Sequence, residues 1–112
     1  MGKLVYADAE LDITIEDRTL AHLQIVIGNK LRRHESFFFS WTDDPTVGNG
    51  RSSVWMDASI PLYFAYDHRR LPAINREWLI ILTTSANSGS GLVFTAEPNS
   101  TTGKTAPPRS HI

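Results

Sequence analysis

The chain is predicted to fold as a single α+β domain of order β-β-α-β-β-β-α-β, with two helices packed against a mostly antiparallel sheet and a disordered C-terminal tail. Three observations predict this. Short stretches alternate apolar and polar residues with a period of two, two longer stretches repeat their apolar residues every three or four, and apolar residues nearly vanish after Glu97. The 112 residues suit one domain with its own core, expected over 1–97, with the tail over 98–112.

Alternation over Lys3 to Ala7 and Leu11 to Ile15, joined through Asp8-Ala9-Glu10, predicts a hairpin whose second strand turns Leu11, Ile13 and Ile15 to one face. Asp17 is a suitable N-cap for a first helix over Arg18 to Arg33. Leu20, Leu23, Ile27 and Leu31 supply its apolar stripe, and Lys30, Arg32 and Arg33 complement its negative end. Glu35 to Thr42 is aromatic-rich and suits a strand, with Phe37, Phe39 and Trp41 on one side and Ser36, Phe38 and Ser40 on the other. Asp43-Asp44-Pro45 and Gly48-Asn49-Gly50 bracket a turn region. Two strands follow, Arg51 to Met56 and Leu62 to Asp67, divided near Pro61.

A second helix begins after Asn75, which caps it, while Ile74 can pack on Leu79 as a staple. Trp78, Leu79, Ile81, Leu82 and Ala86 form its apolar face, and Asn87-Ser88-Gly89 stops it before a last strand over Gly91 to Ala96. From Pro98 onward the composition cannot repay its ordering entropy.

Composition excludes several function classes. There are no cysteines, hence no disulfide, thiolate metal site or cysteine nucleophile. Eleven basic residues against twelve acidic ones leave a net charge of −1, and because only nine of the basic residues precede Pro98, the expected domain carries −3. Any nucleic-acid surface must therefore be one asymmetric face. The N-terminus meets charge within eight residues and lacks the apolar stretch of a signal peptide, and no run approaches membrane-spanning length. A cytoplasmic location and no membrane partner are expected. Asn99-Ser100-Thr101 has no meaning as a glycosylation site without export.

Catalytic motifs are fragmentary. Gly103-Lys104-Thr105 matches the end of a phosphate loop, yet the first glycine would fall at Pro98 and Ala106-Pro107-Pro108 replaces the helix that carries the mechanism. His22, His34, His68 and His111 lack a ligand spacing, and Asp43-Asp44 with Asn49 reads as turn chemistry before it reads as a cation site. No Gly-x-Ser-x-Gly elbow surrounds Ser52-Ser53. No catalytic residue, metal site or cofactor is assigned.

Binding surfaces are better motivated. Steps of about 100° per residue put Arg18, His22, Asn29 and Arg33 on one stripe opposite the apolar face of the first helix. Lys30, Arg32, Arg51, Arg69, Arg70 and Arg76 add charge, and Trp41, Trp55, Tyr63 and Tyr66 offer rings for stacking. Ile25 and Ile80 point away from their helix cores, and the strand around Phe38 is aromatic on both faces, which marks a protein or homodimer interface.

The chain resembles a family of short actinobacterial proteins of unknown function that often carry the label "ATP-dependent DNA ligase". The resemblance covers about residues 1 to 97. It rests on Met1-Gly2-Lys3-Leu4-Val5-Tyr6, Asp17-Arg18-Thr19-Leu20-Ala21-His22-Leu23-Gln24, Lys30-Leu31-Arg32-Arg33, Glu35-Ser36-Phe37-Phe38-Phe39-Ser40-Trp41, Gly50-Arg51-Ser52-Ser53-Val54-Trp55, Ser59-Ile60-Pro61-Leu62, Asn75-Arg76-Glu77-Trp78 and Ser85-Ala86-Asn87-Ser88. It brings no established catalytic residue. Ligase chemistry needs a Lys-x-Asp-Gly lysine, whereas the three lysines precede Leu4-Val5, Leu31-Arg32 and Thr105-Ala106, and 112 residues cannot hold a nucleotidyltransferase domain and a clamp.

The expected function is a non-catalytic DNA- or RNA-associated accessory domain. Arg18, His22, Arg32, Arg33, Arg51, Arg69 and Arg70 would contact phosphates, with Trp55 or Tyr63 stacking on bases. The alternative is a protein-interaction or self-associating module using Ile25, Phe38 and Ile80.

Overall fold

In the computed structural model the period-two segments pair into two sheets; the structure describes residues 1–8, 11–42 and 50–98. β1 (Gly2–Tyr6) pairs antiparallel with β2 (Leu11–Ile15) on one side and β5 (Leu62–Ala65) on the other, giving the order β2-β1-β5. β3 (Phe37–Thr42) pairs antiparallel with β4 (Arg51–Met56) and parallel with β6 (Leu92–Val93), giving β4-β3-β6. The helices are α1 (Asp17–Arg32) and α2 (Arg76–Ala86). Element order and the mostly antiparallel pairing agree with the α+β expectation. Period alone does not show that β4 and β5, neighbours in sequence, leave for different sheets.

The strands turn alternate residues inward, fully buried from β1, β2, β3 and the end of β4 and only partly buried from β5. Leu4, Ile13 and Ile15 face the core from the first sheet, and Phe37, Phe39, Trp41, Met56 and Leu92 face it from the second. Leu20, Leu23, Val26 and Ile27 of α1 meet them, as do Trp78, Leu82 and Ala86 of α2. At ~1.5–3 kcal/mol for each large apolar side chain buried, this shared core is the main stabilising term. The sheets are also tied directly, because the Tyr6 hydroxyl donates to the Trp55 carbonyl.

Helix ends depart from expectation in instructive ways. α1 begins at Asp17, with Glu16 in the N-cap position making no side-chain cap bond. The Asp17 carboxylate instead accepts the backbone N–H groups of Asp67, at 3.1 Å, and His68, at 2.9 Å, so it serves the loop after β5 and not its own helix. At the other end His34 adopts φ 58° while its N–H reaches the Leu31 carbonyl at 2.9 Å and the Glu35 N–H reaches that of Lys30 at 3.0 Å. This is a Schellman stop with histidine in the place glycine usually takes. α2 starts as expected, the Asn75 side chain accepting from Glu77 N–H at 3.0 Å and Trp78 N–H at 3.3 Å.

β6 is short because of how it enters the sheet. Gly91 has φ 81°, and a Cβ there would lie 2.5 Å from the Phe38 carbonyl oxygen, so only glycine lets the chain approach β3 this closely. The expected turn around Asp43-Asp44-Pro45, its Asn49 partner, Gly103-Lys104-Thr105, His111 and the expected tail beyond Pro98 lie outside the described residues.

Candidate nucleic-acid interface

The second sheet covers the core with one face and presents the other to solvent. Alternation puts Phe38, Ser40 and Thr42 of β3 on the outer face, and the register sets them opposite Trp55, Ser53 and Arg51 of β4; Val93 of β6 lies across from Ser40. Phe38 and Trp55 are 51% and 44% exposed, with ring centroids 5.0 Å apart in an edge-to-face pair. Beside them the Ser40 and Ser53 hydroxyls share a hydrogen bond of 2.7 Å. Arg51 is exposed, about 13 Å from Trp55 along β4 at ~3.3 Å per residue, and has no ion-pair partner among the described residues. Two open rings, polar hydroxyls and a guanidinium thus share one face. Within the paired strands no carboxylate stands on it among the described residues; Asp57, just past β4 and two residues beyond Trp55, borders it with its carboxylate bound to Ser36 and Ser59.

The structure separates the other candidates. Tyr63 is 65% exposed on the outer face of the first sheet, paired in register with Val5. Arg18 and Arg32 sit at opposite ends of α1, about 21 Å apart at ~1.5 Å rise per residue. Arg33 beyond them is bound to Glu35. Arg69 and Arg70 are exposed on the loop between β5 and α2. Arg18, hydrogen-bonded to Ala73, stands against the loop that carries Arg69 and Arg70, whereas Arg32 and Arg33 lie at the far end of α1 and Arg51 lies on the second sheet. Likewise Phe38 lies on the sheet face turned away from the core, whereas the exposed Ile25 and Ile80 belong to the helices.

His22 is the clearest correction. It was expected on the solvent stripe, but α2 packs over that flank of α1 and buries it completely. Its ring lies 4.6 Å from Trp78, its Nδ1 is 2.7 Å from the Arg18 carbonyl, and its Nε2 accepts the Asn75 backbone N–H at 2.8 Å. Those partners require the neutral ring with its proton on Nδ1. Burial accordingly holds its pKa below the ordinary value. A phosphate contact by His22 is out of reach.

Around it runs a network that no local pattern announced. Arg18 grips Glu97 with two parallel bonds of 2.8 and 2.7 Å and donates a third to the Ala73 carbonyl, while the Asn75 side-chain amide also donates to Glu97. The hydrogen-bonded guanidinium drives the Glu97 pKa down to about 2. Lys30 is similarly consumed, its stem buried and its Nζ bound to Glu35 at 2.9 Å and Asn87 at 3.0 Å above the Phe37 ring. Among the described residues no cluster of three or more His, Asp or Glu could hold a metal. Among the described residues no helix is long and apolar enough to cross a membrane.

A family model, domain of unknown function DUF7882, matches residues 1–97. The chain belongs to this family. No curated protein and no solved structure matches it. Sequence reasoning singled out Phe38, Arg51 and Trp55 separately, and pairing β3 with β4 brings them onto one face.

Proposed function

We propose that this DUF7882 domain is a non-catalytic accessory module that takes single-stranded DNA or RNA on the outer face of its second sheet. The observation that carries the reading is the exposed Phe38–Trp55 pair on the same face as Arg51. Base stacking on open aromatic rings is worth about 1–3 kcal/mol per base and tolerates any sequence, and a nearby guanidinium meets the backbone phosphate. A duplex would hide its base faces from these rings. Ligase activity forms no part of the proposal, because the Lys-x-Asp-Gly lysine is absent from the sequence.

Trp55 itself reports on the test. Trp41 and Trp78 are buried, so an iodide-quenchable signal comes from Trp55. Adding oligo(dT) or oligo(U) at low salt should protect that signal, with affinity falling as salt rises. Protection should vanish in Phe38→Ala, and no protection with either oligonucleotide would reject the proposal.

A second reading is self-association through this face, favoured by the exposed apolar side chains of Phe38, Trp55 and Val93 standing together on the outer face of the second sheet. Light scattering over a concentration series separates the two. A dimer lost in Trp55→Ser, without oligonucleotide binding, would establish it.

A further inference from the structure

The loop between β5 and α2, residues 66–75, is held near both ends by the first two turns of α1. At its start the Asp17 carboxylate takes the Asp67 and His68 amides. At its end Arg18 donates to the Ala73 carbonyl and His22 accepts the Asn75 amide. Between the clamps stand Arg69, Arg70 and Leu71, followed by Pro72, whose ring restricts the backbone further. Leu71 is 86% exposed, more than any other large apolar residue among the described residues, and Ile74 is exposed beside it.

Charge around this loop is unbalanced. Arg69, Arg70 and Arg76 are exposed without an ion-pair partner among the described residues, whereas Lys3, Arg18, Lys30 and Arg33 are paired. The nearby carboxylates are mostly committed elsewhere: Asp17 to backbone amides, Asp67 to the N-terminal ammonium, and Glu97 to Arg18 and Asn75. Glu77, next to Arg76, is the remaining exposed acid there. A cationic tip carrying a leucine is thus presented between two fixed ends, which lowers the ordering cost of binding.

We infer that this clamped loop is a docking element for an acidic protein segment that carries an apolar side chain among its carboxylates. The carboxylates would meet Arg69, Arg70 and Arg76, and the apolar group would cover Leu71 and Ile74. Leu71 selects the partner class, since bases stack on aromatic rings or guanidinium planes, whereas an aliphatic side chain is best covered by another apolar side chain. This surface is distinct from the outer sheet face, and the inference does not depend on nucleic-acid binding there.

The test uses the full chain and fluorescence anisotropy with three labelled probes: a short Glu/Leu peptide, a Glu/Ser peptide of equal length and charge, and oligo(dT). The Glu/Leu peptide should bind in a salt-dependent way and at least about tenfold more tightly than the Glu/Ser peptide. Arg69→Glu with Arg70→Glu, and separately Leu71→Ser, should each weaken it by about tenfold, while Phe38→Ala should not. Asp17→Ala, which frees the loop without touching its tip, should also weaken binding, with circular dichroism confirming that the fold persists. Failure of the Glu/Leu peptide to bind, equal binding of both peptides, indifference to Leu71→Ser or Asp17→Ala, or oligo(dT) binding abolished by the two arginine changes would each overturn the inference.

Discussion

The Nε2 of His22 accepts the backbone N–H of Asn75 at 2.8 Å, so the first helix holds the cap residue of the second through an unprotonated imidazole. Protonation would set two N–H groups against each other. The ring is fully buried, and the charged groups nearest it are Arg18, which opposes a second positive charge, and Glu97, which is already committed to Arg18. The bond is available only while the ring stays neutral.

Stability should therefore decline in two stages as pH falls. The His22 pKa is depressed on folding, so its contribution is complete above the ordinary value of 6.5 and fades as pH falls below it. Glu97, held at about 2 against an ordinary 4.5, adds stability that is complete above pH 4.5 and fades as pH falls toward 2. Denaturant midpoints measured from pH 8 downward should decline first below pH 6.5. In His22→Gln that first decline should disappear while the second remains.

The Arg18–Glu97 pair binds the start of α1 to the end of the described chain with two short bonds at a partly exposed site. Solvent screening limits its value, and Glu97→Gln should cost about 1 kcal/mol. Urea denaturation in high salt should narrow the gap between variant and wild type. A gap unchanged by salt would point to the Asn75 hydrogen bond instead.

His34 occupies a left-handed backbone conformation at the stop of α1, where an L side chain is strained and glycine is not. His34→Gly should stabilise the protein by about 0.5–1 kcal/mol even though it increases the freedom of the unfolded chain. Thermal unfolding at neutral pH measures this directly.

Gly91 predicts the opposite sign. Gly91→Ala puts a methyl group against the Phe38 carbonyl at a positive φ and should cost about 2 kcal/mol or more. Because the clash falls on the β3 residue that carries an outer-face ring, Trp55 fluorescence should shift as well.

Element identity was legible because each depends on neighbours a few residues apart. The Asn75 cap, the buried Phe37, Phe39 and Trp41, and the exposed Phe38 and Ile80 follow from periods of two and about 3.6. His22 was misplaced because the width of a helix's buried face depends on how many elements pack on it, and α2 covers a flank that a one-sided stripe leaves wet. Asp17 was misread for a similar reason, as its best donors lie fifty residues away in the loop after β5.

The sequence by itself determined a cysteine-free α+β domain with its strands, helices and most inward-facing residues, since side-chain periodicity and capping are local. It did not place His22, which is buried, nor Leu11 and Ile81, which are exposed. Only the tertiary structure decided that β4 and β5 part into different sheets, that Phe38, Trp55 and Arg51 share a face, and that Asp17, Arg18 and His22 clamp one loop. Those relations join residues far apart in the chain. They arise when strands choose partners and helices choose flanks, a choice made by the burial of the whole core.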